Sequence, residues 1–563
     1  MSLNGLPDDY FIFLENGKRL YGDDTYARIN VAKIKRIEIL NGASSALYGT
    51  NAIGGVINII TDDAKNAINV SSDTRYASKG RFTQSVNIDV NTGKFGSYTS
   101  YRRQQAEGWQ LNPYEENSKT HELEETGKVA STGFYANTVN QKFTFDATDK
   151  LSFYARGGYY DNKTRRPYEA YDYNILHETF NYGIGAQYMI NKGNYITADC
   201  YADHFSSSYC FFKDNKTYNG KAGEEQVRKR TRNHNLSIKG IFKLGNRHKL
   251  SVGTEYIVDV LKSQTDNIAK EDAYTLALFA QDEIKLLRNL QALIGVRYIY
   301  HENFKNHATP NVALMYKPGK FNFRASYAAG FRTPTLSELY ATDIAKKNDR
   351  LTIGNLDLKS EKNNYFSLSA EYVHERFSVS VNAFYNNIRD MIDYNTIATG
   401  DKAMEQYGHK EVRQRDNIAE AKVHGINVSA NAYLGAGFNL SGGYTHLNTQ
   451  DVELEQPIDK SIKNAYNINA QWAHSWKIYR LNINLNGRIN SKRFSKSYGY
   501  APEYQLWNLN TRHSFNLKSV IIEPGCGMEN LFDYMDDRPY NSNYATLTPG
   551  RSFYISLSLK FKS

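Results

Sequence analysis

From about Asn66 to the end of the chain, apolar and polar residues alternate with a period of two, the pattern of β-strands with one buried face. In Leu481–Ile489, residues Leu481, Ile483, Leu485 and Ile489 share one face, and Asn482, Asn484, Asn486 and Arg488 the other. Phe377–Tyr385 sets Phe377, Val379, Val381, Ala383 and Tyr385 against Ser378, Ser380, Asn382 and Phe384. Phe366–Tyr372 and the final strand, with Phe553, Ile555, Leu557, Leu559 and Phe561 on one side, repeat the scheme. Short connections (148–150, 191–193, 244–247, 287–289, 317–320, 374–376, 434–437) alternate with long polar ones (107–136, 206–233, 333–362, 386–421, 448–463). Tight turns at one end and long loops at the other are the asymmetry of an outer-membrane barrel. No fixed internal repeat, which a solenoid requires, is present. The spacing predicts an all-β transmembrane barrel of about 22 antiparallel strands over residues 65–563. A lumen of that width holds a plug.

Composition supports this reading. Tyr (44) outnumbers Phe (27), and Pro is scarce (11), as suits a barrel with amphipathic rings at both membrane interfaces. There is no apolar run long enough for a transmembrane helix, which says nothing against a barrel. The start, MSLNGLPDDYF, has no secretory pattern. The net charge of +10 is spread along the chain, which excludes a nucleic-acid-binding block. Three cysteines, Cys200, Cys210 and Cys526, are too few for a disulfide framework or metal knuckle, although Cys200 and Cys210 could pair across one loop in an oxidising compartment. The 13 His are scattered. No catalytic set emerges, so an enzyme is not expected, and no cofactor is implied.

Residues 1–64 read differently. Phe11–Leu20 (FIFLENGKRL) is strand, Asn-Gly turn, strand. Tyr21–Tyr26 is a polar loop, and Ala27–Ile34 a short helix or an extended connector. In Lys35–Thr61 two apolar strands, Ile37–Leu40 and Val56–Ile60, flank a small-residue loop with Gly42, Gly49, Gly54 and Gly55. A unit this small is marginal alone and leans on something larger.

Lys35–Thr61 resembles the plug signature of TonB-dependent outer-membrane receptors. Ile34, Arg36, Ile37, Glu38, Gly42, Ser45, Leu47, Tyr48, Gly49, Ala52, Ile53, Gly54, Gly55, Val56, Asn58 and Thr61 match its spacing. Two further stretches resemble the family's barrel. One is Phe331-Arg332-Thr333-Pro334-Thr335-Leu336 with Gly354-Asn355-Leu356-Asp357-Leu358-Lys359-Ser360-Glu361. The other is Glu529-Asn530-Leu531-Phe532-Asp533 with Pro549-Gly550-Arg551 and Phe561. The resemblance implies a bacterial outer-membrane receptor, embedded in lipid, that binds and imports a scarce iron complex (siderophore or heme) or a corrinoid. It implies a TonB-type energy-transducing partner, engaged through a segment that in the family precedes Asn4-Gly5-Leu6 together with the first half of an α+β plug. Without that segment the alternatives are a non-transporting surface binding protein or a passive barrel.

The resemblance also implies that plug loops touch the ligand. Tyr21, Asp23, Asp24, Ser44 and Ser45 are the ligand-binding candidates, with turn and capping roles as the other reading. Arg36, Glu38 and Arg551 are expected to hold the plug to the barrel by charge pairs. Gly54 and Gly55 are expected to serve backbone geometry. Heme receptors of this type carry a His in the plug and another between the Phe-Arg-x-Pro and Asn-x-x-Leu motifs. Met1–Thr120 and Thr335–Gly354 contain none, and axial ligation needs such a donor, so His301 or His409 would have to serve. Ferric siderophore and cobalamin remain open, since Tyr-rich loops suit both.

Overall fold

The computed structural model describes residues 2–42, 49, 52–61, 67–117, 120–345, 349–542 and 548–562. Its barrel runs from Ile68–Ala77 through neighbouring antiparallel strands to Ser552–Lys562, which pairs back onto the first strand from Tyr554↔Ala77 to Lys562↔Asn69. The closed wall has 22 strands. Closure leaves no unpaired sheet edge in the wall. The apolar face read from the sequence points outward: Phe366, Leu368, Ile555 and Phe561 are all exposed on the bare chain and meet lipid in the membrane. Among the described residues no helix is long and apolar enough to cross a membrane.

The regions expected as long loops at 206–233 and 386–421 are largely strand. Asn194–Phe211, Glu225–Leu244, Phe377–Thr399 and Glu411–Gly435 carry the ladder well past the lipid. Above the membrane both faces meet water, so the apolar period vanishes while backbone pairing continues. Cys200 and Cys210 lie on one strand, ten residues and therefore about 33 Å apart. A disulfide needs Cα atoms within about 7 Å, so the suggested pairing is excluded, and all three cysteines are free.

Inside the lumen a four-stranded sheet runs in the order Lys18–Arg19, Phe11–Glu15, Gly55–Thr61, Ile34–Asn41. The Asn-Gly turn forms as expected, with φ of 52° at Asn16 and 77° at Gly17, the two positive values of a type I′ hairpin. Phe11–Glu15 pairs parallel to Gly55–Thr61, and Ile34–Asn41 pairs antiparallel to it. The connector is a 3₁₀ turn, Val31–Lys33, capped by Asn30, whose Oδ1 accepts from Ala32 N at 3.1 Å. Ile12, Leu14, Ala52 and Val56 pack on one side of the sheet, and Leu20, Ile29 and Ile59 on the other. Ile34–Asn41 is the open edge, with Ile37 and Ile39 exposed.

The plug sits on an apolar patch of the inner wall. Leu6, Tyr10 and Ile53 pack against Tyr365, Phe384, Ile388, Val423 and Leu447. Gly42 lies flat on the Tyr365 ring, where a Cβ would approach ring atoms to 2.4 Å. That contact, together with its φ of 77°, explains why the motif has glycine there.

Candidate functional site

Charged and polar pairs tie the plug loop Tyr21–Tyr26 and its flanks to the wall. Asp203, buried on the wall, accepts from Arg28 Nη1 at 3.0 Å and from the Tyr21 backbone N–H at 2.9 Å. Glu15 accepts from Arg156 at 2.7 Å, and Lys18 lies 2.9 Å from Asp199. Arg102 donates to the carbonyls of Ala27 and Ile29. Gly22 rests against Phe205, which a Cβ would meet at 2.5 Å.

Asp24 is held by three wall residues. It accepts from Asn162 Nδ2 at 2.9 Å and from the Tyr160 hydroxyl at 3.3 Å, and lies 2.8 Å from His177 Nδ1. Burial pushes its carboxyl up, but the hydrogen bonds from His177, Asn162 and Tyr160 outweigh it and hold the pKa below the ordinary value. Because the folded pKa is depressed, the stabilisation is present above the unfolded value of about 3.9 and is lost as pH falls through the folded one. Hydrogen exchange in Tyr21–Tyr26 is therefore expected to speed up as pH drops below about 4, once corrected for intrinsic rates. Asp24→Asn is expected to remove that acid step, and an identical step in the variant would show that Asp24 does not cause it.

The other candidates take these positions. Asp23 is the exposed acid of the loop, 3.9 Å from Lys229. Tyr21 lines a polar cavity of about 310 Å³ between plug and wall, together with Lys18, Arg19, Asp199, Lys239, Glu255, Asp259 and Arg297. Burial raises the Tyr21 hydroxyl far above its usual range, keeping it protonated. Ser44, Ser45 and Tyr48 lie outside the described residues. Arg36 and Glu38 pair with each other at 2.7 Å on the exposed face of the edge strand, and Asn58 bridges Glu38 and the Gly17 N–H at 3.0 Å each. Arg551 donates from Nε to the Leu531 carbonyl at 3.2 Å and from its backbone N–H to Asp533. These three charges brace local structure, and the plug-to-wall pairs come from Arg28, Glu15, Lys18 and Asp24. Gly49 lies beside Arg297, Gly54 donates to the Tyr10 carbonyl at 2.7 Å, and Gly55 has φ 139° with the Leu40 carbonyl 2.3 Å from any Cβ.

The barrel motifs close loops. Arg332 donates to Glu338 at 3.0 and 3.1 Å and to the fully buried Glu361. Tyr10 of the plug donates to Glu361 at 3.3 Å, under the Arg332 guanidinium. Thr335, following Pro334, caps the helix Leu336–Tyr340 in a reciprocal box with Glu338. Phe331 stacks on His307, and Leu358 packs with Leu339 and Ile392. Asn355 accepts from the Asp357 N–H at 2.9 Å. Near the C-terminus Asn530, with φ 53°, exchanges two hydrogen bonds with the Tyr534 backbone, and Leu531 donates to the Trp507 carbonyl. Gly550, with φ 85°, lies against Asp533, whereas Phe532 and Phe561 are exposed.

Toward the extracellular ends of Tyr173–Asn191, Asn194–Phe211 and Glu225–Leu244, and in the loops beside them, lies a cluster that the sequence did not single out. Tyr173 and Tyr209 stack with centroids 4.1 Å apart, and Tyr218 meets them edge-on at 5.8 and 5.1 Å. Arg166 covers Tyr171 at 4.7 Å and Tyr173 at 5.1 Å. Arg228 covers Tyr218 at 4.9 Å and Tyr209 at 5.3 Å. Nε of both arginines is buried with no hydrogen-bond partner among the described residues. Burial, then the neighbouring Tyr173, push the Tyr218 hydroxyl up, so this phenol stays neutral and the guanidinium groups set the charge. The cluster offers flat aromatic faces and cations to a planar anionic ligand. His301 is buried with Nδ1 accepting from the Asn303 N–H at 3.1 Å, and His409 pairs with Asp349 at 2.9 Å. No group of three or more metal-ligating side chains occurs among the described residues.

Residues 1–56 match the family described as the TonB-dependent receptor plug domain, and residues 81–523 the one described as TonB-dependent receptor-like β-barrel. Similar solved structures include a variant of the ferric enterobactin receptor PfeA from Pseudomonas aeruginosa, at TM-score 0.83 and 17% identity, covering 99% of this chain and 91% of that one. The siderophore receptor PirA from Acinetobacter baumannii gives TM-score 0.80 at 16% identity, covering 99% and 91%. The copper transporter OprC gives 0.78 at 12%, covering 99% and 94%. At these identities the likeness is one of fold. With the barrel family matched over most of the chain, the protein belongs to the TonB-dependent receptors, transport proteins of the bacterial outer membrane.

Proposed function

We propose that this receptor binds a ferric chelate that is both anionic and aromatic, of the catecholate siderophore class, and passes it inward when a TonB-type partner draws on the plug. The observation that supports this reading is the cluster of Tyr171, Tyr173, Tyr209 and Tyr218 under two guanidinium groups with unused donors. A catecholate complex presents flat rings for stacking and negative oxygens for Arg166 and Arg228. Two of the similar structures are named as siderophore receptors, which favours the same class. In this reading residues 1–64 act as plug and 65–563 as barrel. Tyr209 and Phe205 share one inward face of Asn194–Phe211, four residues or about 13 Å apart. Ligand seated on Tyr209 thus bears on the strand that carries Phe205 and Asp203, where Gly22, Tyr21 and Arg28 attach.

Binding to the purified protein tests this. A ferric tris-catecholate is expected to bind more tightly than heme or cobalamin. Arg166→Gln and Arg228→Gln are each expected to weaken it about tenfold, the loss of one charge-assisted or cation–π contact of 1–2 kcal/mol. Tighter binding of heme or cobalamin, or unchanged affinity in both variants, would contradict the proposal.

A further inference from the structure

The segment 536–540, in the loop that leads to the last barrel strand, brings a third cation to the rim of the tyrosine–arginine cluster. The Tyr540 N–H donates to the Tyr114 carbonyl at 2.7 Å, and the Asp537 carbonyl accepts from Asn112 Nδ2 at 2.7 Å. These bonds lay the segment along the hairpin of Tyr114–Glu116 and Leu123–Glu125, with Glu115 and Tyr540 in a parallel bridge. Tyr540 also stands beside Tyr171, the ring that Arg166 covers at 4.7 Å. Burial, then Tyr171, push the Tyr540 hydroxyl up, so it stays a neutral phenol. Lys128 Nζ lies 5.8 Å from the centre of the Tyr540 ring. Arg166, Tyr171, Tyr540 and Lys128 thus extend the array of cations and rings outward from the cluster.

Lys128 is already engaged. The Glu115 carboxylate holds it at 2.8 and 3.0 Å. The pair is partly wet, with 37% of the lysine and 25% of the glutamate side chain exposed, and an ion pair so placed is worth little. Glu115 also faces Glu124 across the hairpin, and like charges directly opposite one another on a sheet are destabilising. Exchanging the partner of Lys128 therefore costs little. A ferric tris-catecholate carries more negative charge than Arg166 and Arg228 balance. An ammonium on a flexible stem, with three rotatable donors, can turn from a carboxylate to the oxygens of a ligand.

We propose, on the catecholate reading of this site, that Lys128 is its third cation and that Glu115 is a resident counter-anion, which the chelate displaces on binding. The carboxylate keeps Lys128 satisfied in the empty receptor and reclaims it when the chelate moves inward. Glu115 therefore works against affinity and Lys128 for it, although the two are partners.

The test is equilibrium binding of a ferric tris-catecholate to the purified full chain, with the heat-modifiable gel mobility of a folded barrel checked in every variant. Glu115→Gln is expected to tighten binding about fivefold and Lys128→Gln to weaken it about fivefold, with the double variant Glu115→Gln/Lys128→Gln near the wild type. The gain in Glu115→Gln is expected to shrink as salt is raised. A pair that merely rivets the loops would give loss of affinity in both single variants, and that result would overturn the proposal. Unchanged affinity in both, with Arg166→Gln still weakened, would also overturn it and leave the catecholate site standing. A wild type that does not bind the tris-catecholate would end both.

Discussion

Replacing Arg332 with alanine is expected to destabilise the seat of the plug by about 3–5 kcal/mol, the cost of stranding a buried charge. Arg332 is 4% exposed and is the shared partner of Glu338 and of Glu361, which is wholly buried. Without the guanidinium, Glu361 keeps, among the described residues, the Ile392 N–H at 2.9 Å and the Tyr10 hydroxyl. Tyr10 belongs to the plug and its pKa is raised by burial, then by Glu361, so its hydroxyl remains a donor. The disturbance therefore reaches Phe11–Glu15 directly. Hydrogen exchange is the appropriate readout: faster exchange in Phe11–Glu15 and Leu336–Tyr340, with the barrel strands unchanged. Combining Arg332→Met with Glu361→Leu is expected to restore part of the protection, because the wholly buried carboxylate is no longer stranded, while Glu338 keeps its hydrogen bonds from Thr335. Tyr10→Phe, which loses one long hydrogen bond, is expected to cost about 1 kcal/mol. Equal exchange in the wild type and Arg332→Ala would refute this role.

Arg28→Ala is expected to be of similar size and to act where the plug meets another part of the wall, the strand Asn194–Phe211. The Asp203 side chain has no exposed surface and accepts from Arg28 at 3.0 and 3.2 Å. Arg28 also donates to the Tyr21 carbonyl, so one guanidinium stitches the loop to itself and to the wall. Its loss leaves Asp203 with the Tyr21 N–H and costs about 3 kcal/mol or more. In planar bilayers the variant is expected to open to a large conductance at a lower urea concentration than the wild type, with Arg28→Lys between them. The same urea threshold for all three proteins would show that the pair does not hold the plug.

Much of this fold could be read from the order of residues, for definable reasons. A lipid-facing wall must alternate, so strands such as Ser552–Lys562 declare themselves, and the Asn16-Gly17 turn follows from two positive φ values. Where a strand leaves the membrane, as in 206–233, nothing apolar marks its faces and the period-two signal fades. The lumen face carries a mixed signal. Phe384 falls on the polar face of Phe377–Tyr385, yet it is buried against the plug, because a plugged lumen is partly a protein interior. The candidate site was less legible. A polar loop marks Asp24, but its partners Tyr160, Asn162 and His177 lie 136, 138 and 153 residues away. Arg36 and Glu38 match a motif that implies wall contacts, yet two residues apart on one strand they face the same way and pair with each other. The tyrosine–arginine cluster draws on 166–173, 209–218 and 228, stretches brought together by the register of successive paired strands, and local spacing carries no signal of that convergence.

The proposed activity is import of an anionic aromatic ferric chelate across the outer membrane. The direct measurement is uptake of radioactive iron supplied as a ferric tris-catecholate, in cells lacking other receptors for it and expressing this gene with or without a functional TonB partner. We expect accumulation only when both are present, and a fall of about tenfold with Arg166→Gln/Arg228→Gln when the chelate is scarce. Accumulation that persists without the TonB partner, or uptake of heme or cobalamin but not of the catecholate, would contradict it.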